Sequence, residues 1–168
     1  MVGNTEGNSD DLLSRTRPDF CYTQSGVVPY LFENGEIKVC IISNTSKGWI
    51  IPKGVIDSWR YDINQNGEKF LPAGAAEDGA AQEAYEEAGL LGVVDEGSIG
   101  QYTYLKKRWS GYCTVSVYCL RVLKILDDWE DKGRRKRQFV SIDDAIEMVK
   151  YDSLAGLIEN HFTKGEKT

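Results

Sequence analysis

The sequence predicts an α+β layered domain, and three observations carry that prediction. Strand-like apolar runs flank one Ala- and Glu-rich helix near the middle of the chain, and two further helical stretches lie near its end. At 168 residues the chain is long enough for one domain with a proper core. Its 41% hydrophobic and 27% charged residues are ordinary for a globular protein. In chain order, Val27 to Phe32 reads as a strand, with Pro29 marking an edge or a bulge. Asn34-Gly35 is a turn signal that joins it to a second strand, Lys38 to Ser43. Trp49 to Ile51 is a short strand running into a Pro52-Lys53-Gly54 loop. Residues 57 to 72 are polar and aromatic, with a turn at Asn66-Gly67. The acidic helix covers Ala75 to Ala88, and Gly89 stops it. Leu91 to Val94 and Gln101 to Leu105 are strands around a Glu96-Gly97 turn, and Tyr112 to Leu126 is a long strand rich in Val, Tyr, Thr and Cys. Ser141 caps a helix that has Asp143 and Asp144 in its first turn and runs to Tyr151. A last helix covers Ser153 to Phe162.

Residues 1–18 are polar and read as a flexible segment, leaving 19–168 as a single domain. No apolar run approaches the length of a membrane span, and no secretory signal is visible, so the expected location is cytoplasmic. The four cysteines, Cys21, Cys40, Cys113 and Cys119, have no metal-type spacing, and the last three lie in apolar runs as buried free thiols. A net charge of −6 argues against broad nucleic-acid binding. His161 is the only histidine and lies near the C-terminus, which excludes a His-based triad or a His-ligated zinc. Phosphate-loop and dinucleotide fingerprints are absent. Two basic clusters stand out against the acidic total: Lys106 to Arg108, and Lys132 with Arg134, Arg135, Lys136 and Arg137. They are either solvated loops that balance charge or a phosphate-binding surface. Burial is the default for Trp49, Trp109 and Trp129, while Tyr104 or Trp109 could instead stack on a nucleobase.

The chemistry is concentrated in Gly79-Ala-Ala-Gln-Glu-Ala-Tyr-Glu-Glu-Ala-Gly-Leu90. At about 100° per residue, Glu83, Glu86 and Glu87 fall within an arc of roughly 100° on one helix face. Like charges so close repel, unless the face is simply solvated or a cation neutralises it. Clustered hard oxygen ligands suit Mg²⁺ or Mn²⁺, and these ions in turn suit phosphate oxygens.

Gln82-Glu83-Ala84-Tyr85-Glu86-Glu87-Ala88-Gly89-Leu90, with Gly54 upstream, resembles the second half and the opening glycine of the Nudix hydrolase signature. Gln82 stands at that family's Arg, and Gly74 stands at its first Glu. Glu68 or Glu77 could stand in for the latter. The loop between Gly54 and Gly74 is longer than the family spacing. Further along, Val122 to Asp131, Gly133 to Phe139 and Ile142 to Glu147 look like the diphosphoinositol polyphosphate phosphohydrolase branch, which neighbours the diadenosine polyphosphate hydrolases.

The resemblance implies an α/β/α sandwich on a mixed β-sheet flanked by helices, with residues 57–72 as an insertion. It implies metal-dependent hydrolysis of a phosphoanhydride in a nucleoside or inositol polyphosphate. Glu83, Glu86, Glu87 and the Gly54 carbonyl would hold Mg²⁺ or Mn²⁺, with Glu86 a further ligand or the general base. Lys53, Gly54, Arg135, Lys136 and Arg137 would contact the substrate. Gln24-Ser25-Gly26 and Ser153 are uncharged where the branch carries basic residues, which favours a less densely charged substrate. A catalytically weak sensor or binding module for a phosphorylated ligand is the alternative, and the retained Glu triad speaks against it. The expected partner is a phosphorylated small molecule, with no membrane, and the oligomeric state is left open.

Overall fold

A computed structural model describes residues 21–45, 47–106 and 111–163. The flexible segment expected over residues 1–18, and Lys107, Arg108 and Trp109, lie outside the described residues. The strands are β1 (Cys21–Glu33), β2 (Glu36–Ser43), β3 (Trp49–Ile50), β4 (Lys53–Val55), β5 (Asp62–Ile63), β6 (Lys69–Phe70), β7 (Leu90–Val94), β8 (Gly100–Lys106), β9 (Gly111–Ile125) and β10 (Arg137–Ser141). The helices are α1 (Ala75–Glu83), continued by a π turn (Ala84–Ala88), then α2 (Ile142–Met148) and α3 (Asp152–Phe162).

Eight strands form one sheet with the path β10-β2-β1-β9-β7, while β3 adds to β2, β4 to β1 and β8 to β9. The β1–β9 pairing is parallel over Cys21 to Tyr30 and the remaining pairs are antiparallel, so the sheet is mixed. Alternate residues bury on opposite faces, as the period of two requires. Val28, Val39, Ile41, Val115 and Val117 pack with Leu154, Ile158 and Phe162 of α3. Val27, Cys40, Ile42 and Leu120 pack with Ala80, Ala84 and Ala88 of the acidic helix. Two cores on one sheet give the helix–sheet–helix layering. No helix among the described residues is long and apolar enough to cross a membrane.

Pro29 corrects one expectation. It marks neither an edge nor a bulge, because β1 runs through it in the middle of the sheet with unbroken register to β9. The Val27 N–H bonds to the Pro52 carbonyl, so by strand periodicity the Pro29 nitrogen points to the same side. On that side β4 pairs with Gln24 to Gly26 and β2 with Tyr30 to Glu33. Pro29 falls in the gap between the two partners, where no N–H is required. A second correction concerns Lys53 and Gly54, which belong to strand β4 instead of a loop. The helix after Ser141 is also shorter than expected, because Val149 is extended and bridges to Trp49. Elsewhere the local signals hold. Asn34 and Gly35 both take positive φ, as a tight hairpin requires. The Ser141 hydroxyl accepts from the Asp144 N–H at 3.1 Å.

Candidate active site

The site begins with close approaches that glycine permits. Gly26 faces Lys53 across β1 and β4, and a Cβ on it would lie 2.8 Å from the Pro52 carbonyl oxygen. A Cβ on Gly54 would overlap the Glu83 carboxylate. Helix α1 therefore presses Glu83 directly onto the β4 backbone.

The helix then widens into the π turn over Ala84–Ala88, where the Gly89 N–H reaches back to the Ala84 and Tyr85 carbonyls. Such turns advance less per residue than an α-helix. The even fan of three carboxylates expected from regular helix geometry is thereby changed. Glu83 and Glu87 come together and share a hydrogen bond. Glu86 accepts instead from Gln82 Nε2 at 2.7 Å.

Burial pushes Glu83 up to about 8, helped by the charge of Glu87, the hydrogen bond with Glu87, and the charges of Glu86 and Asp57. Burial also raises Glu87, opposed by the Arg135 guanidinium, by the Glu83 hydrogen bond and by Lys53. The shared hydrogen bond favours the acid form of Glu83 and the ionised form of Glu87. Glu87 is 7% exposed, and its Oε2 has no hydrogen-bond partner among the described residues. Arg135 Nε stands 3.6 Å from that oxygen and 3.4 Å from Asp131 Oδ2.

Lys53 reaches the same place from β4. Its ammonium donates to the Tyr104 hydroxyl at 2.8 Å and lies 4.4 Å from the centroid of that ring. Burial lowers Lys53 to about 8 against the attraction of Glu87. Tyr104 is buried, with Tyr151 at 5.1 Å between ring centroids, so its ring is core and not an open stacking surface.

The 126–137 segment closes over the end of the acidic helix. A helix leaves its last carbonyls without internal partners. Here the Asp131 N–H bonds to the Glu86 carbonyl, Trp129 Nε1 to that of Glu87, Arg137 to that of Ala88, and the Leu126 N–H to that of Gly89. Arg137 also reaches the Leu126 carbonyl at 2.7 Å and stacks 4.0 Å from the Trp129 ring centroid. Gly89 has φ 65°, and a Cβ there would lie 2.9 Å from both Trp129 and Arg137. Glycine is required on both counts.

No family model matches the chain. Individual relatives do. The chain is 32% identical over 128 residues to Nudix hydrolase 21, chloroplastic, of Arabidopsis thaliana, a match covering 73% of this chain and 57% of that protein. It is 29% identical over 119 residues to diphosphoinositol polyphosphate phosphohydrolase 2 of Rattus norvegicus, covering 70% and 56% respectively. The chain belongs to the Nudix hydrolase family. It spans little more than half the length of these two relatives. A crystal structure of a C. elegans Ap4A hydrolase binary complex shares the Nudix fold, with a TM-score of 0.63 at 16% identity over 88% of this chain and 99% of that one.

Of the expected Nudix site residues, Gly54, Glu83, Glu87, Lys53 and Arg135 converge. Lys136 is exposed, and its backbone N–H bonds to Ser43 Oγ. Arg137 is committed to main-chain carbonyls, and Arg135 also donates to the Ser43 carbonyl. Glu68 bonds with Asn64 inside the β5–β6 hairpin. A groove of about 410 Å³, lined by Arg60, Asp78, Gln82 and Tyr85, lies on the helix face opposite Glu87 by helical position and plays no part in this cluster.

Trp129 and Asp131 were not expected at the site, and Gln24 and Tyr104 enter it in other roles than a missing phosphate contact and a stacking surface. Asp131 had a signal in its spacing to Arg135, an i,i+4 charge pair. The sequence marked Gln24 only by its lack of charge, and nothing local to it shows that it accepts from Tyr104, 80 positions away.

The donor set suits a hard divalent cation. Half-buried Glu83 sits against the Gly54 backbone, and buried Glu87 beside it has one oxygen without a hydrogen bond. Among the described residues no three His, Cys, Asp or Glu side chains form a ready-made metal cage. The fit therefore rests on Glu83 and Glu87 with the Gly54 main chain.

Proposed function

We propose that this chain hydrolyses a phosphoanhydride bond in a polyphosphorylated nucleoside or inositol. The observation that carries the reading is the Glu83–Glu87 pair, with half-buried Glu83 against Gly54 and buried Glu87 Oε2 without a hydrogen bond. Two carboxyl groups sharing one proton are unstable towards any cation that can replace that proton. Glu83, Glu87 and the Gly54 carbonyl would hold Mg²⁺ or Mn²⁺, with Glu86 completing the set. Such an ion supplies charge neutralisation for phosphate oxygens and acidifies the attacking water.

The chain's own residues do the rest. Arg135, fixed by Asp131 and the Ser43 carbonyl, keeps positive charge beside Glu87. Lys53 places an ammonium beside the same carboxylate, where a phosphate oxygen would be bound. Lys136, on the exposed side of the same segment, offers a further contact to a longer polyphosphate. Glu86 lies next to the pair and outside it, and is the candidate base for water.

The test is release of phosphate or nucleotide with Mg²⁺ from diphosphoinositol pentakisphosphate, diadenosine penta- and hexaphosphate, ADP-ribose and nucleoside triphosphates. Metal-dependent turnover is expected on at least one of them, falling by about a hundredfold or more in Glu87→Gln. Binding of one of these compounds by the folded protein, without turnover of any, would replace the hydrolase reading with that of a sensor.

A further inference from the structure

A buried hydrogen-bond chain crosses three strands behind the site. Lys53 of β4 donates to the Tyr104 hydroxyl of β8 at 2.8 Å, and that hydroxyl donates to Gln24 Oε1 of β1 at 2.8 Å. The direction is fixed by chemistry. An ammonium can only donate, so the Tyr104 oxygen accepts and its proton goes to Gln24, whose amide oxygen can only accept. Gln24 is 2% exposed and Tyr104 is 7% exposed. The Tyr104 ring cannot swing away, because Tyr151 and Tyr102 lie 5.1 and 6.1 Å from it between ring centroids.

We propose that Gln24 and Tyr104 are positioning residues, which hold the Lys53 ammonium as the phosphate-binding cation of this site. The inference rests on the assignment of Lys53 to substrate phosphate made above. A long lysine stem normally gives up its rotamer freedom only when ligand arrives. Here Lys53 is ordered beforehand, with one N–H bonded to Tyr104 and the ring face beneath the charge. Two N–H donors remain for a phosphate. The uncharged Gln24 is thus not a lost phosphate contact but the far end of the support for one.

The experiment is a double-mutant cycle on the full chain. Binding of imidodiphosphate, a non-hydrolysable phosphoanhydride analogue, is measured by calorimetry with Mg²⁺ for wild type, Lys53→Met, Tyr104→Phe and the double variant. Tyr104→Phe keeps the ring in its aromatic cluster, and a thermal melt of each protein verifies folding. Each single variant is expected to weaken binding about tenfold, and the double variant no further than Lys53→Met alone. With a turned-over substrate, Tyr104→Phe should raise KM more than it lowers kcat. Gln24→Leu, which removes the Gln24 acceptor of the Tyr104 hydroxyl, should reproduce part of the loss. Multiplying losses in the double variant, wild-type affinity in Tyr104→Phe, or no binding by wild type would each overturn the proposal. If the cycle holds while no substrate is hydrolysed, the hydrolase reading fails and the positioning role of Tyr104 and Gln24 stands.

Discussion

Two polar, charge-rich segments flank the acidic helix, and they have opposite relations to it. The segment 126–137 reaches the four carbonyls from Glu86 to Gly89 through side chains or main-chain amides. The segment 57–72 bonds mainly within itself, through the β5–β6 hairpin and the Asn64 side chain, which accepts from the Asn66 and Glu68 amides. Its one deep insertion is Arg60, which pairs with Asp57 at 3.7 Å and lies against Gly79. The two segments are alike in polarity, but only one carries the end of the helix that bears Glu87. What separates them is where their donors go, not how many charges they hold.

The sharpest way to break this contrast is Arg137→Ala. It strips a charged donor from the Ala88, Gly89 and Leu126 carbonyls and removes the stack on Trp129. Hydrogen bonds to charged groups are worth about 1.5–3 kcal/mol, and buried carbonyls left unpaired add a penalty. A loss of about 3 kcal/mol is expected, or roughly 6–12 °C in Tm for a chain of this size. Denaturant unfolding measures it. Should Arg137 act only as a surface phosphate contact, stability would stay at the wild-type value and only KM would move.

The next effect has the opposite sign. Glu83 has a folded pKa of about 8 against an ordinary 4.5. Between those values the folded protein keeps a proton that the unfolded chain has released. Stability therefore falls as pH rises from about 4.5 towards 8. Glu83→Gln removes that loss. In EDTA at pH 8 its Tm should exceed that of wild type by roughly 3 °C or more, while turnover is lost. Adding Mg²⁺ should raise the Tm of wild type and leave that of the variant nearly unchanged. Equal Tm values in EDTA across this pH range would show that the carboxyl pair is not strained.

These contrasts also explain what could be read in advance. The helix from Ala75 to Ala88, the stop at Gly89, the Asn34-Gly35 turn and the Ser141 cap are set by neighbours within four residues, and sequence carries such information directly. Pro29 misled because its meaning depends on β4 and β2 both pairing with β1 on one side. Arg137 read as a phosphate contact because two of its three main-chain acceptors lie 48 and 49 positions away along the chain. The Glu triad was legible as one acidic helix face, but the π turn that pairs Glu83 with Glu87 and leaves Glu86 to Gln82 has no sequence signal of its own. Local rules found the acidic and basic residues, and long-range pairing decided which of them converge.

The smallest effect expected is from the hairpin itself. Residues 62–70 are exposed throughout, and Asp62 faces Phe70 across the β5–β6 pair, so a Gly-Ser link can join the flanking positions without stretching the chain. An isolated two-stranded hairpin has little stability of its own, and shortening a surface loop changes closure entropy only slowly with length. Arg60 and its contact with Gly79 remain in such a variant. Its Tm should lie within about 2 °C of wild type, a change of under roughly 1 kcal/mol. A drop approaching that of Arg137→Ala would mean that the hairpin braces the helix from its N-terminal side, and the asymmetry between the two segments would disappear. Retained stability would place the whole restraint on Glu87 in residues 126–137, where each helix-end carbonyl has a named donor.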